Sequence, residues 1–332
     1  MIGLGIESTA HTFSVAVIKN KKILSNIINS YKTKLGGMIP IEVAKHHEKI
    51  GDSVIREAIE KSGVSFTDLE FVAFSQGPGL APCLLVGLRK AKELAKKFNL
   101  PLVGVNHCVS HLEIGELTGA KDPVLLYCSG ANTQIIAYAS KKYRIFGETL
   151  DMGIGNFIDT FARYSGLGFP GGKAIEELAK NSKNKSNLVE LPYSVKGMDV
   201  AFAGLLTNLK QKLDSGKYPI EDLCFSLQET SFAMLIETAE RAIAHLGKKE
   251  LLLGGGVACN SRLQEMAKIM CKERNAKCFV PEKQFLQDNA GMIAFLGQKM
   301  FKAGIKIKPN ELEKADINSS QRTDQVNVTW KN

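Results

Sequence analysis

One stretch of the sequence, Val124-Leu-Leu-Tyr-Cys-Ser-Gly-Ala-Asn-Thr-Gln-Ile-Ile-Ala-Tyr138, repeats a pattern that the chain already shows at its beginning. Two apolar runs flank a small polar turn, Ser129-Gly-Ala-Asn132. Near the N-terminus the apolar runs Ile2–Ile6 and Phe13–Ile18 flank Glu7-Ser-Thr-Ala10 in the same way. Short apolar runs joined by a small turn predict β-hairpins. The repeat therefore predicts two similar α/β lobes, each of which opens with a hairpin.

The repeat also predicts where the domains begin and end. The pattern restarts at Pro123, so we predict one lobe over residues 1–122 and a second over 123–308. Helical spacing over about 147–246 indicates a helical insertion in the second lobe. Beyond Pro309 the chain is polar and irregular, so residues 309–332 are predicted to form a tail with little core of its own.

Apolar spacing predicts the remaining elements. In the first lobe these are a helix over Ile41–Lys61, a strand over Leu69–Phe74, a helix from about Leu84 to Phe98, and a strand over Leu102–Val105 that leads into a further helix. In the second lobe they are a helical stretch over Gly147–Lys180 interrupted at Gly166–Gly172, helices near Val200–Leu213 and Ile220–Leu246, a strand over Glu250–Leu253 and a helix from Ser261.

Composition indicates a globular protein that does not cross a membrane. The 332 residues are 44% hydrophobic and 23% charged, an ordinary balance for a folded domain. No run approaches the ~18 apolar residues of a transmembrane helix. The first residues carry Glu7 and lack the basic start of a signal peptide, so we expect a cytoplasmic protein. Seven scattered cysteines without a Cys-x-x-Cys pair argue against a disulfide framework and a ribbon-type zinc site.

The charge balance favours a polyanionic partner. There are 43 Lys+Arg against 34 Asp+Glu, a net charge of +9. Basic residues cluster at Lys19–Lys22, Arg89–Lys97 and Lys180–Lys185. Such a surplus attracts nucleic acid through the release of counterions. A lysine-rich solvated surface is the alternative.

The small turns favour nucleotide binding, because backbone N–H groups without bulky side chains can approach phosphates closely. A third small turn, Gly254-Gly-Gly-Val-Ala-Cys-Asn260, follows a predicted strand and resembles the adenosine contact of actin-like ATPases. Its glycines would let base and ribose lie against the backbone, and Asn260 can form a hydrogen bond. Chance similarity of the hairpins and a purely structural glycine turn are the alternatives. No Gly-x-x-x-x-Gly-Lys-Ser/Thr run occurs, which excludes a P-loop enzyme.

The segment His107-Cys-Val-Ser-His111 places two imidazoles four residues apart, on one face of a predicted helix. This is metal-ligand spacing, with a polar helix face as the alternative. A His-Glu-x-x-His protease needs a glutamate after the first histidine to activate water, and that residue is Cys108 here. The spacing therefore predicts a metal site but no protease. Asp288, among the small residues of Leu286-Gln-Asp-Asn-Ala-Gly-Met292, is the best candidate for a further ligand.

Other polar residues lie beside small turns. Asp159 and Glu176 flank Gly171-Gly172, and acids beside glycines suit recognition of ribose hydroxyls. Acids on a helix surface are the alternative. His46-His47 can line the mouth of a site or be exposed. Glu7, in the tip of the first hairpin, is placed with them at the site entrance.

Together these segments resemble the universal tRNA threonylcarbamoyladenosine transferase family, once labelled O-sialoglycoprotein endopeptidase. The likeness runs from Gly5-Ile-Glu-Ser-Thr9 to Arg322-Thr-Asp-Gln-Val-Asn-Val-Thr-Trp330. The most specific matches are Val105-Asn-His-Cys-Val-Ser-His-Leu-Glu-Ile-Gly115, Gly147-Glu-Thr-Leu-Asp151 through Phe169-Pro-Gly-Gly172, Gly197-Met-Asp-Val-Ala-Phe202 and Phe225-Ser-Leu-Gln-Glu-Thr230. These favour the archaeal and eukaryotic branch, the catalytic subunit of the KEOPS complex.

The resemblance implies an α/β fold of duplicated actin/Hsp70/sugar-kinase-like (ribonuclease H-like) lobes with nucleotide and metal in the cleft between them. It implies one metal ion per subunit, held by His107, His111, Tyr127 and Asp288. A phenolate ligand is compatible with iron, and zinc also suits imidazole and carboxylate. The implied substrate and nucleotide contacts are Tyr127, Cys128, Ser129, Gly130, Ala131, Asn132, Asp159, Gly172, Glu176 and Asn260.

The sequence departs from the family pattern in three places. Ala131 replaces the usual second glycine of the phosphate turn, and its methyl group would hinder the approach of a phosphate or acyl group. Ile39 and Ile41 stand where a His-Pro-Arg segment is usual. The chain has Asn289-Ala-Gly291 where the family pattern is Asn-Gly-Ala, and the preceding Asp288 is unchanged.

The activity implied by the resemblance is acyl transfer to tRNA. A partner enzyme makes threonylcarbamoyl-AMP, and this protein transfers the threonylcarbamoyl group to the N6 amine of adenosine 37, next to the anticodon. ATP or an analogue can occupy the same cleft. The implied partners are tRNA, a small Bud-type kinase/ATPase, a dimerising subunit and a tRNA-binding accessory subunit, without a membrane. In some archaeal relatives the kinase is fused directly after this domain, so the tail 309–332 would be a linker.

Two other functions compete with acyl transfer. An ATPase or kinase of the same fold would need a catalytic aspartate and would not need His107 and His111. A scaffold subunit would bind its partners while the chemistry takes place elsewhere. Metal content and the identity of the product distinguish these hypotheses.

Overall fold

The computed structural model describes residues 1–33, 38–186 and 188–331; Asn332, the last residue of the predicted tail, lies outside them. The strands are β1 (Ile2–Glu7), β2 (Thr12–Lys19), β3 (Lys22–Ser30), β4 (Phe71–Gly77), β5 (Leu102–Asn106), β6 (Val124–Cys128), β7 (Thr133–Ala139), β8 (Lys142–Glu148), β9 (Val195–Lys196), β10 (Asp199–Val200), β11 (Glu250–Gly254) and β12 (Lys277–Phe279). The helices are α1 (Pro40–Ser62), α2 (Ala81–Phe98), α3 (His107–Glu113), α4 (Ile154–Tyr164), α5 (Gly172–Asn181), α6 (Ala203–Asp214), α7 (Ile220–Leu246), α8 (Ser261–Glu273), α9 (Lys283–Leu286) and α10 (Ala290–Lys302).

Two five-stranded sheets carry the fold, and they are built alike. The first has the strand order β3-β2-β1-β4-β5 and the second the order β8-β7-β6-β11-β12. In each, three antiparallel strands are followed by two parallel ones. The expected duplication of an α/β lobe is therefore present. The exact lobe boundaries and the extent of the insertion stay predictions.

The hairpins extend further than the sequence pattern indicated. Each predicted hairpin has a third strand, β3 or β8, that is only partly buried and so lacks a clear apolar signature. The expected helical stretch from Gly147 was wrong at its start, because β8 continues to Glu148 and α4 begins at Ile154. The hydrogen bonds of β8 to β7 outweigh the local helical spacing, as tertiary context often does.

Helix α10 follows the second sheet in the chain but packs on the first, against β1, β2 and β4. Gly5 of β1 makes this approach close: a Cβ atom there would lie 2.6 Å from the backbone nitrogen of Ala294 and 2.7 Å from the carbonyl oxygen of Ala290. Only a residue without a side chain fits between the two backbones. This packing fixes the start of α10, and with it Asp288, beside the end of β1.

Residues 309–331, expected to have little core of their own, pack along both lobes. Just before them, Ile307 forms an isolated bridge with Leu102 of β5. Further along, Ala315 and Val328 are buried, and Trp330 lies against Tyr143 of β8. The tail thus crosses from the first lobe to the second.

Among the helices of the described residues, none combines the length and the apolar character that a membrane span requires.

The contact between β1 and α10 predicts the effect of a single methyl group. The Gly5→Ala variant should lose about 1–3 kcal/mol of unfolding free energy, because backbone atoms cannot move aside as a flexible side chain can. Gly204→Ala in α6 is the control, since a Cβ there meets no atom within 4 Å. Urea denaturation measures both. Equal midpoints for Gly5→Ala and the wild type would contradict the packing argument.

Candidate metal and nucleotide site

Helix α3 carries both candidate histidines and is wholly buried. It begins where β5 ends, at Asn106, whose side chain caps the helix by accepting a hydrogen bond from the Val109 N–H at 3.0 Å. His107 is the first helical residue and His111 lies one turn later. Their ring centroids are 4.9 Å apart. The helix therefore presents the two imidazoles side by side, as the spacing predicted.

Glu7, expected at the site entrance, is instead fully buried behind His107. Its Oε2 accepts a hydrogen bond from His107 Nδ1 at 3.0 Å. Its Oε1 accepts hydrogen bonds from the backbone N–H and the hydroxyl of Thr9, at 2.7 and 2.5 Å. A carboxylate that holds the far nitrogen of a histidine fixes the ring orientation and leaves the other nitrogen for a ligand. Glu7 is thus a support for His107.

Asp288 meets the two histidines from the segment before α10. Its Oδ1 lies 3.4 Å from His107 Nε2 and 3.5 Å from His111 Nε2. One ligand atom from each of these three residues lies within 4.8 Å of the other two. Tyr127, at the end of β6, places its hydroxyl 3.0 Å from His107 Nε2. The structure therefore brings together all four residues that the resemblance implied as ligands.

The electrostatics of this cluster suit a cation. Burial lowers the pKa of His111, which keeps its imidazole neutral. Burial opposes protonation of His107 too, but its surroundings, with Tyr127 and Glu7 foremost, raise its pKa. Within the described part of the chain, neither ring nitrogen of His111 has a hydrogen-bond partner. A buried nitrogen without a hydrogen-bond partner is costly, so the His111 Nε2 atom, which faces Asp288 at 3.5 Å, is suited to bind a cation.

The turn 129–132 begins two residues after Tyr127. It is closed by a hydrogen bond from the Ser129 N–H to the Asn132 carbonyl at 2.8 Å. The carbonyls of Ser129 and Gly130 accept from the N–H groups of Gly155 and Asn156, which fastens the turn to the start of α4. The backbone at Gly130 is open, since a Cβ there would meet only the Asn156 side chain, at 3.6 Å.

The glycine turn after β11 lies against the end of β6. Gly255 has a φ of +89°, and a Cβ there would lie 2.2 Å from the carbonyl oxygen of Cys128. The Asn260 side chain caps α8, accepting from Arg262 N–H at 2.9 Å, while its amide donates to Gln228 at 2.5 Å. Both polar groups of Asn260 are therefore engaged within the protein.

Of the two predicted ribose-binding acids, Asp159 lies in α4 and Glu176 in α5. Asp159 accepts a hydrogen bond from the Gly171 N–H at 2.7 Å, and burial raises its pKa. Glu176 accepts from the backbone and the hydroxyl of Ser261, at 3.1 and 2.5 Å. A Cβ at Gly172 would meet nothing within 4 Å, so this end of α5 has open space beside it.

His46 and His47 occupy different environments on α1. His47 is fully buried, and its Nε2 lies 2.8 Å from the Ala10 carbonyl in the first hairpin tip. His46 is half-buried, and its Nδ1 lies 3.3 Å from that of His47. At the start of the same helix, Ile39 and Ile41 are 60% and 61% exposed. Their departure from the family pattern thus places two apolar side chains at the surface.

A family model described as "TsaD: tRNA N6-adenosine threonylcarbamoyltransferase" matches residues 22–295. The chain belongs to this family. It is 50% identical over 330 residues to the tRNA N6-adenosine threonylcarbamoyltransferase of Thermococcus sibiricus, covering 99% of this chain and all of the relative. It is also 50% identical to a "probable bifunctional tRNA threonylcarbamoyladenosine biosynthesis protein" of Methanosarcina barkeri, covering 98% of this chain and 59% of that protein. These findings confirm the resemblance read from the sequence.

The fold is shared with a solved structure described as the activator of the 2-hydroxyisocaproyl-CoA dehydratase from Clostridium difficile with bound ADPNP. The TM-score is 0.57 at 14% identity, and the match covers 92% of this chain and 97% of that one. The expected fold class is therefore confirmed.

Sequence reasoning from the residues alone missed Tyr127 and the support by Glu7. Tyr127 lies in the continuous apolar run of β6 and so has the pattern of a core residue. Glu7 adjoins a predicted turn, where acids are usually solvated. The available signal for Glu7 was an acid at the end of an apolar run that is predicted to be a strand.

His47 predicts how stability depends on pH. Burial lowers its pKa from 6.5 to about 4, so the folded protein favours the neutral ring. A depressed folded pKa means that this contribution is complete above pH 6.5 and is lost as the pH falls towards 4. His47→Gln should therefore flatten the decrease in unfolding free energy across this pH range, measured by urea denaturation. His245→Gln, which removes an exposed histidine, is the control; an unchanged slope in His47→Gln would refute the assignment.

Proposed function

We propose that this protein transfers the threonylcarbamoyl group from threonylcarbamoyl-AMP to the N6 amine of adenosine 37 in tRNA, with a metal ion held by His107, His111, Tyr127 and Asp288. The observation that carries the proposal is the convergence of two histidines and an aspartate at one point in a chain of this family. The unpartnered nitrogens of His111 support it.

The donor set fits iron or zinc. Neutral imidazole and carboxylate suit both ions, and the Tyr127 hydroxyl adds an oxygen donor that iron accepts as phenolate. Burial raises the pKa of Tyr127, so its proton would leave only when a cation replaces it. When bound, the metal would supply Lewis-acid polarisation and orientation of the threonylcarbamoyl group.

The remaining roles belong to the protein's own residues. Tyr127 lies near the end of β6 and Ser129 begins the next turn, so the cluster and the turn are separated by one residue, Cys128. We assign the phosphate of the adenylate to the backbone of the turn 129–132 and the ribose to the side of Asp159, Gly172 and Glu176. This arrangement would place the carbamoyl end of the substrate at the histidines. Asn260 would contribute by capping α8 and so holding the glycine turn in place. Its amide is already bonded to Gln228 and would not bind the nucleotide directly.

The chemical step needs little covalent help from the protein. The N6 amine of the adenosine attacks the carbamoyl carbon, the bond from that carbon to the phosphate oxygen breaks, and AMP leaves with the electron pair. The amine loses a proton to the departing phosphate or to water, which gives threonylcarbamoyladenosine. Because AMP is an activated leaving group, the main contribution is to hold both substrates in line.

The partners follow from charge and from the relatives. A net charge of +9 would dock tRNA phosphates. The bifunctional name of the Methanosarcina barkeri relative supports action beside a second enzyme of the same biosynthesis. We propose cytoplasmic action with the kinase, dimerising and accessory subunits of a KEOPS assembly.

Metal loss tests the cluster. His111→Ala should remove most bound iron or zinc and lower transfer from synthetic threonylcarbamoyl-AMP to tRNA by about 100-fold or more, the scale of losing an essential electrostatic contact. The measurement combines elemental analysis with quantification of modified adenosine, with partner subunits present. His245→Ala, which replaces an exposed histidine, is the control.

Three results would decide between the functions. Full transfer by a His107→Ala/His111→Ala variant would favour the scaffold function. A phosphorylated product in place of the modified adenosine would favour a kinase. Loss of metal together with transfer, without such a product, is the expected result.

Open space at Gly172 predicts a variant that blocks the nucleotide without unfolding the protein. Gly172→Leu should weaken binding of threonylcarbamoyl-AMP or AMP by about tenfold, equivalent to ~1.4 kcal/mol, because its side chain would occupy the space assigned to the ribose. The melting temperature should change little, since no atom lies within 4 Å of a Cβ there. Gly204→Leu, also open and in the first turn of a helix, should alter neither quantity. Calorimetric titration that shows unchanged affinity for Gly172→Leu would exclude this ribose position.

A further inference from the structure

A second buried cluster lies at the other end of α3. Glu113, the last residue of this helix, is only 2% exposed. Its carboxylate accepts hydrogen bonds from the Tyr143 hydroxyl and the Lys299 ammonium, and Lys331 Nζ lies 3.0 Å from its Oε1. We call Glu113, Tyr143, Lys299 and Lys331 the Glu113 node.

The members of the node come from four separate parts of the chain. Glu113 ends the helix that begins with His107, and Lys299 lies near the end of α10, the helix that starts just after Asp288. Helices α3 and α10 pack directly on each other. The node therefore joins the C-terminal ends of two packed helices, one of which carries both histidines while the other begins just after Asp288.

The other two members link this helix pair to the second lobe and to the tail. Tyr143 belongs to β8 and is fully buried. Lys331 lies in the tail, with its ammonium 5.0 and 5.1 Å from the ring centres of Tyr138 and Tyr143. The tail also reaches the start of α3, because the Asn106 amide donates to Gln321 at 3.1 Å. Both ends of the histidine helix are thus held by residues 321–331.

A buried carboxylate must keep its partners. Glu113 has three donors, and the loss of any one would leave charge or a lone pair uncompensated in a region of low dielectric constant. The carboxylate would then move towards its remaining donors and carry the end of α3 with it. The node also borders a solvent-open pocket of about 430 Å³, lined by Glu113 and Lys331 among others, which leaves room for such a movement. His111 is two residues from Glu113, so the shift would reach the metal cluster.

We propose that the Glu113 node positions α3 against α10 and so sets the spacing of His107 and His111 from Asp288. Tyr143 and Lys331 are positioning residues that act on a metal site they do not touch. This inference rests on the proposed function, because it concerns the same site.

Two mild substitutions test the node. Tyr143→Phe removes one hydroxyl and keeps the ring, and Lys331→Met removes the charge and keeps most of the chain length. Each should weaken Zn²⁺ or Co²⁺ binding by up to about tenfold, no more than the smallest loss expected from removing a direct hydrogen-bond partner of a metal ligand, because both act through Glu113. Competition titration with a chelating dye measures the affinity. The Co²⁺ absorption bands report ligand geometry, which general destabilisation of the fold would not alter.

Matched controls separate positioning from packing. Tyr138→Phe alters a second ring beneath Lys331, and Lys314→Met removes an exposed tail lysine that pairs with Glu311. Both should keep wild-type affinity, and Lys331→Arg should restore most of it. In the metal-free protein, the rate of amide hydrogen exchange in α3 should rise in Tyr143→Phe and in Lys331→Met. It should not rise in the control variants.

The outcomes are distinguishable. Wild-type metal binding with equal affinity in Tyr143→Phe and Lys331→Met would overturn the positioning inference and leave the proposed function standing. A wild-type protein that binds no metal would overturn both. If Lys331→Met fails to fold, the metal affinity of Tyr143→Phe, compared with that of Tyr138→Phe, still tests the positioning inference.

Discussion

Glu7 accepts a hydrogen bond from His107 in a region closed to solvent, and the arrangement of the site depends on this contact. The Glu7 carboxylate accepts the hydrogen bond from Nδ1, so the Nε2 atom of His107 is left facing Tyr127 and Asp288. Glu7 ends β1 and His107 begins α3, so the bond also joins the first hairpin to the histidine helix. A support of this kind raises the basicity of the ring as well as fixing its direction.

The charges of the cluster explain why the site favours a cation. Burial alone would raise the pKa of Asp288, but the two histidines hold it below its ordinary value. The raised pKa of His107 reports the same negative potential from the opposite side, because the site stabilises positive charge there. A metal ion bound beside the buried carboxylates of Glu7 and Asp288 would offset the cost of their desolvation with its positive charge.

Close contacts between backbones place Asp288 and the glycine turn beside the ends of the two hairpin strands, β1 and β6. The approach of α10 to Gly5 fixes Asp288 beside β1, and the approach of Gly255 to Cys128 fixes the glycine turn beside β6. In both sheets the hairpin strand that ends at the site, β1 or β6, pairs with a parallel neighbour, β4 or β11. The duplication therefore places Glu7, which supports His107, and Tyr127, a proposed ligand, at similar positions near the ends of equivalent strands.

Local pattern in the sequence determined the two hairpins, most helices and the spacing of His107 and His111, because these depend on residues that are near one another in the chain. It also selected Asp288 as an acid among small residues, and the family motifs supplied Tyr127. Only the tertiary structure decided that Glu7 is buried behind His107 and that Asp288 reaches both histidines. It also showed that Asn260 is engaged as a helix cap. The placement of Asp288 depends on α10 crossing back to the first sheet, a contact between opposite ends of the chain that no local pattern encodes.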